Sequence, residues 1–167
     1  MGAAKRVRPR TELSTMSYTA REGRSQLLDD VAEATDQLAL ALASLGEAYE
    51  ELDEQTADAL EAQLFRPTQS AYGRLRRTHA EFAARHGLPG RDFAASSGGL
   101  HSADPRVYVD RAVDALERAD HVLAELQDSM LPVEVGDREL RTGLSETRET
   151  IADLPARATR LMRTQGR

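Results

Sequence analysis

The chain contains no cysteine, tryptophan or asparagine, a single lysine and a single isoleucine. Without cysteine there can be no disulfide, no thiolate zinc site and no thiol nucleophile. An aromatic content of 4% leaves little to stack on bases, and the net charge is -6, so specific nucleic-acid recognition is not expected. No long apolar run occurs either. The longest, Leu38 to Leu45, is interrupted by Ser44 and falls far short of the ~20 residues of a membrane span, so no membrane partner is expected. Residues 1–17 begin with basic residues but carry no apolar stretch behind them, so no secretory leader is expected and a cytoplasmic location is. Lysine, isoleucine and asparagine share AT-rich codons, and their joint scarcity points to a GC-rich bacterial genome. Against Lys5 there are 21 arginines. That codon bias explains their number, so only their positions are informative.

What is present is helical periodicity. Of the 167 residues, 40% are hydrophobic and 30% charged, the balance of a soluble helical domain. From Leu27 the positions Val31, Ala34, Leu38, Ala41, Leu45, Ala48 and Leu52 advance by alternating steps of four and three. Three further stripes follow: Ala57 to Phe82, Val109 to Met130, and Leu140 to Leu161. Such seams pack at shallow crossing angles. The sequence therefore predicts an all-α fold, an antiparallel up-down-up-down four-helix bundle of coiled-coil character. Its helices are expected at about 19–52, 54–87, 105–131 and 137–165, with a long loop over 88–103. Residues 18–167 are read as one domain, and residues 1–17, with Lys5, Arg6, Arg8 and Arg10, as a flexible basic arm.

Capping signals support these bounds. Thr19 with Glu22 reads as a capping box, Asp104 before Pro105 as a helix start, and Asp137 as another cap. Gly87, Pro89 and Gly90 stop the second helix, and Leu131-Pro132 stops the third. The first junction has neither Gly nor Pro, but the stripe slips phase there, which predicts a tight turn near Asp53. Pro67 should free the carbonyl of Gln63, and Pro155 that of Ile151, each bending its helix.

Charge is segregated along the chain. Between Ser25 and Phe65 stand eleven acidic residues and no basic one, and from Arg66 to Arg91 six arginines against Glu81 alone. A turn near Asp53 would set Arg74, Arg76 and Arg77 beside Asp29, Asp30 and Glu33. In the predicted topology one end gathers Glu47, Glu50, Glu51, Asp53 and Asp137. The other gathers Arg21, Arg24, Arg85, Arg91, Arg106, Arg157, Arg160 and Arg163. An acidic and a basic pole are thus expected.

Motifs for chemistry are scarce. No histidine follows a glutamate by three, as a ferritin-like centre requires. No serine sits in a Gly-x-Ser-x-Gly elbow, and "SSGG" lacks the Gly-Lys-Ser ending of a phosphate loop. Tyr72, His79 and His86 share one line of the second helix and are candidates for a small ligand near the Pro67 kink. Glu117, His121 and Glu125 are spaced four apart and could chelate a metal ion from an outer face. Arg85, Arg91, Arg157 and Arg160 are candidates for an anion or partner contact. The expected function is therefore non-catalytic, exerted through protein contact or self-association as a dimer, with no cofactor. The alternative is a ligand- or metal-binding bundle centred on the kink.

Overall fold

The computed structural model describes the backbone of residues 10–96 and 101–165, with side chains from Thr19 onward. Among these residues every regular element is helical. α1 spans Arg10–Glu50, α2 Glu54–Leu60, α3 Arg66–Arg85, α4 Pro105–Asp128, α5 Leu131–Val135, α6 Arg138–Ile151 and α7 Leu154–Gln165. A π-helical segment, Glu61–Phe65, joins α2 to α3.

The chain turns where the stripe slips. α1 stops at Glu50, and Asp53 caps α2 by accepting from the Thr56 amide at 3.0 Å and the Thr56 hydroxyl at 2.7 Å. α3 closes with Gly87 in the left-handed region at φ 62, while the Leu88 amide donates back to the Ala83 carbonyl at 2.9 Å. Leu88, buried against the core, completes this Schellman-type end. Asp104 caps α4 and Asp137 caps α6, as their sequence positions imply.

Three expected bounds are corrected. α1 begins at Arg10, inside the stretch read as an arm and ahead of the expected start at 19, and residues 1–9 lie outside the described residues. α4 ends at Asp128, because Met130 adopts φ 64 and starts the separate turn of α5 around Pro132. The fourth expected helix is two, α6 and α7, parted at Ala152 and Asp153 just ahead of Pro155.

The order of directions differs too. Gly23 of α1 lies against Leu131 just beyond α4, while Glu33 and Gln37 share a groove with Asp114, Arg118 and His121. α4 therefore runs antiparallel to α1. α6 runs antiparallel to α3, with Asp137 on Arg85, Gly143 on Thr78 and Glu146 on Arg74. It also runs antiparallel to α4, through Arg148 on Asp120 and Ser145 on Gln127. α3 and α4 thus point the same way, and the connection between them passes from one end of the molecule to the other. The up-down-up-down order fails because the chain beyond Leu88 runs beside α1, where Arg91 meets Asp36, instead of leading straight into the next helix.

The seam residues form the core. Leu27, Val31, Ala34, Leu38 and Ala41 are buried with Leu75, Phe82, Leu116, Ala119, Leu123, Leu140, Leu144 and Leu154. Four buried threonines lie among them, and each hydroxyl donates to the carbonyl four residues earlier: Thr35 to Val31, Thr68 to Leu64, Thr78 to Arg74, Thr147 to Gly143. Gly143 lets α3 and α6 approach closely. A Cβ there would stand 2.8 Å from Thr78 Cγ2 and closer still to its hydroxyl.

Candidate functional site

The polar residues singled out in the sequence concentrate at the C-terminal half of α3, and they separate into two groups. The first is centred on Asp137, whose side chain is 4% exposed. It accepts two bonds from Arg85, from Nη2 at 2.7 Å and Nε at 2.9 Å, and one from the Leu140 amide at 2.9 Å. The His86 ring Nε2 lies 2.9 Å from Asp137 Oδ2, the oxygen that also accepts from Arg85 Nε, and the ring packs on Phe82, centroids 4.4 Å apart. Burial alone would raise the Asp137 carboxyl. The Arg85 guanidinium, the Leu140 amide and His86 outweigh it and hold the group at about 2. One side chain thus caps α6 and ties it to the end of α3.

The second group surrounds His79, which is buried (2% exposed) on the side of α3 facing α1. Residues 88–96 cross here as a strap. Phe93 meets the His79 ring edge-on with centroids 5.0 Å apart, and Arg91 lies over Phe93 at 4.8 Å. Arg91 also holds α1 through both oxygens of Asp36, at 2.9 and 3.1 Å. His79 Nδ1 is buried and has no hydrogen-bond partner among the described residues. Its pKa is lowered below the usual 6.5, first by burial and then by Arg91, with Asp29 and Asp36 opposing.

Tyr72 belongs to neither group. It is partly buried against the core with the Arg76 guanidinium 5.3 Å from its ring centroid. Tyr72, His79 and His86 share a helix line but are engaged by different neighbours, so they do not converge on a pocket at the kink. The kink itself is taken up internally. The π segment carries the Arg66 amide back to the Glu61 carbonyl, and the Gln63 carbonyl, freed by Pro67, accepts from Arg157 Nη1 at 3.2 Å. Arg157 is fixed in turn by Asp153 at 2.8 Å.

On the outer face His121 pairs with Glu125 at 3.2 Å, both about 70% exposed, while Glu117 lines the shallow groove shared with Glu33. Among the described residues no three His, Asp or Glu side chains converge as a metal-ligand set. Arg160 is exposed.

The reversal of α4 also undoes the expected poles. Arg106 meets Arg163 in a groove of ≈ 400 Å³ between α4 and α7, whose chain direction places them near the acidic first turn. Asp137 lies with Arg85 at the opposite end. Each end therefore carries both signs. Arg74 faces Glu146 on α6 at 3.0 Å and not the acids of α1, because Arg74, Thr78 and Arg85 share the side of α3 that α6 occupies. Comparison with protein-family models, with curated proteins and with solved structures finds no match.

The sequence marked Asp137 as a cap but held no sign of its bonds to Arg85 and His86, some fifty residues away. The strap contact of Phe93 on His79 was equally hidden, because it depends on the route of the connection. Gly143 lies beside the stripe of Leu140 and Leu144, and nothing local in the sequence marks its close approach to Thr78.

Proposed function

We propose that this chain is a non-catalytic four-helix bundle, up-down-down-up in order, which acts in the bacterial cytoplasm through self-association as a dimer. The observation that carries this reading is the use of its polar candidates. Arg85, Arg91, Arg157, His86 and His121 each have a partner within the chain, while Arg160 is exposed and His79 is enclosed, which favours action through surface contact over a reactive centre. The apolar surface beside α5 suits contact with a second copy. Met130 and Val133 are 53% and 48% exposed, next to a groove of ≈ 510 Å³ in which Ala20, Gly23, Leu131 and Val135 are flanked by Thr19, Arg24 and Glu134.

Sedimentation equilibrium across a concentration series, paired with metal analysis of the purified protein, tests the proposal. The expected result is a metal-free dimer that Val133→Glu weakens at least tenfold. One metal ion per chain, lost with His79→Gln, would overturn it in favour of a ligand-binding bundle. A monomer at every concentration would remove self-association.

A further inference from the structure

Among the described residues Gln37 Oε1, Ser44 Oγ and His79 Nδ1 are buried side-chain atoms without a hydrogen-bond partner, and of these groups His79 is the one that titrates. Its Nδ1 has no partner there, the ring is closed off by Phe93, and Phe93 is itself covered by a guanidinium fastened to the neighbouring helix. The strap that brings Phe93 there is not a regular element. It is attached by the apolar anchor Leu88, by the ring contact, and by one ion pair whose two side chains are close to half exposed. Exposed ion pairs of that kind contribute only ~0–1 kcal/mol, so the strap is weakly held compared with the helices beneath it. Ala32 and Ala39, buried although they lie off the predicted stripe, stand one turn before and after Asp36 on α1.

We propose that residues 88–96 form a proton-operated latch, closed over the α1–α3 groove while His79 is neutral and released when the ring takes up a proton. Three things disfavour a proton on the ring in the closed form: its burial, the lack of an acceptor at Nδ1, and the positive Arg91 nearby. Release removes all three. The guanidinium leaves with the strap, the ring meets solvent, and Asp29 and Asp36 of α1 remain to attract the imidazolium. Among the described residues the charges acting on the ring are Arg91 from the strap and these two carboxylates from α1.

The sign follows from linkage. The open form binds the proton more tightly, so closure is complete above the ordinary imidazole value of about 6.5. It is lost as pH falls below that value, by at most tenfold per pH unit for one proton. This window lies well above the acid range in which Asp137 titrates, so the strap opens while α3 and α6 stay tied.

The four histidines of the chain give four imidazole signals by NMR, and His79→Gln identifies the one that matters. His79 is expected to titrate below 6.5, with the Leu88 methyl and Phe93 ring signals moving along the same curve while core methyls of Leu123 and Leu144 do not. In Phe93→Ala the pKa of His79 should rise towards the ordinary value, and in His79→Gln the Leu88 signals should hold still across the window. Leu88 signals that stay fixed while His79 titrates would overturn the latch. So would a His79 pKa that Phe93→Ala leaves unchanged, or strap signals in His79→Gln that still move.

Discussion

α1 and α4 lie against one another as unbroken helices, whereas the segments packed on them are each interrupted at a proline. The unbroken pair is built from small and branched residues at strict spacing, Ala34, Leu38, Ala41 and Leu45 facing Ala112, Leu116, Ala119 and Leu123, all buried. Buried polar groups fall mostly on the interrupted side, Thr68, Thr78, His79, Thr147 and Asp137 against Thr35 and Ser44 on α1. It also handles its two prolines differently. Pro67 is absorbed by a π turn inside a continuing rod, because Arg157 arrives to take the carbonyl it frees. Ahead of Pro155 the chain instead breaks at Ala152 and Asp153 and restarts as α7. One side supplies rigid apolar contact, and the other supplies tuned, locally adjustable polar contact.

Truncation in the two halves should separate them most clearly. Leu38→Ala and Leu154→Ala both remove a fully buried side chain, at a cost of about 2–5 kcal/mol each. Denaturant unfolding should place Leu38→Ala near the top of that range, since its neighbours sit on unbroken helices that cannot collapse, and Leu154→Ala near the bottom. The reverse order would erase the contrast.

The polar half is broken most directly at its tie. Asp137→Ala removes the cap of α6 and leaves Arg85 unpaired, at a cost of about 2–4 kcal/mol. Acid unfolding reads the same bond. With the folded carboxyl at about 2, below its ordinary 3.8, the stabilisation is complete above pH ~4 and disappears as pH falls towards 2, roughly 2 kcal/mol in all. Asp137→Asn keeps a capping side chain and should lose that acid dependence.

Gly143→Ala should cost about 1–3 kcal/mol by forcing Thr78 aside, and pairing it with Thr78→Ala should recover most of that loss. The smallest effects test the π turn. Pro67→Ala and Arg157→Ala should each change stability by less than about 1 kcal/mol, but not additively. In Pro67→Ala the restored backbone amide can donate to the Gln63 carbonyl, and Arg157 then loses its purpose there. A double-mutant cycle should therefore return a coupling different from zero.

Helix content, the Asp53 turn and the caps Asp104 and Asp137 were legible because each depends on residues within a few positions of one another. Direction was not. Nothing local in residues 88–103 says whether they stay at one end, and glycine and serine favour neither route. Once the connection runs lengthwise, every inference built on the other route changes with it. Arg74 meets Glu146, Arg106 and Arg163 move towards the acidic turn, and Phe93 comes to rest on His79. His79 and His86 were found as a pair by spacing, yet seven positions along a helix is two turns, far enough for different elements to claim each ring.

The lengthwise connection also sets a timetable. α1 emerges first during synthesis, yet much of its apolar face is covered only by α4, whose last turn is more than seventy residues behind. The hairpin of α1 with α2 and α3 can form early, but it leaves the flank around Glu33 and Gln37 bare until α4 has cleared the ribosome. Productive collapse must therefore wait for late-arriving chain, so this fold should be slower to assemble than a bundle in which each helix folds back on the one before it.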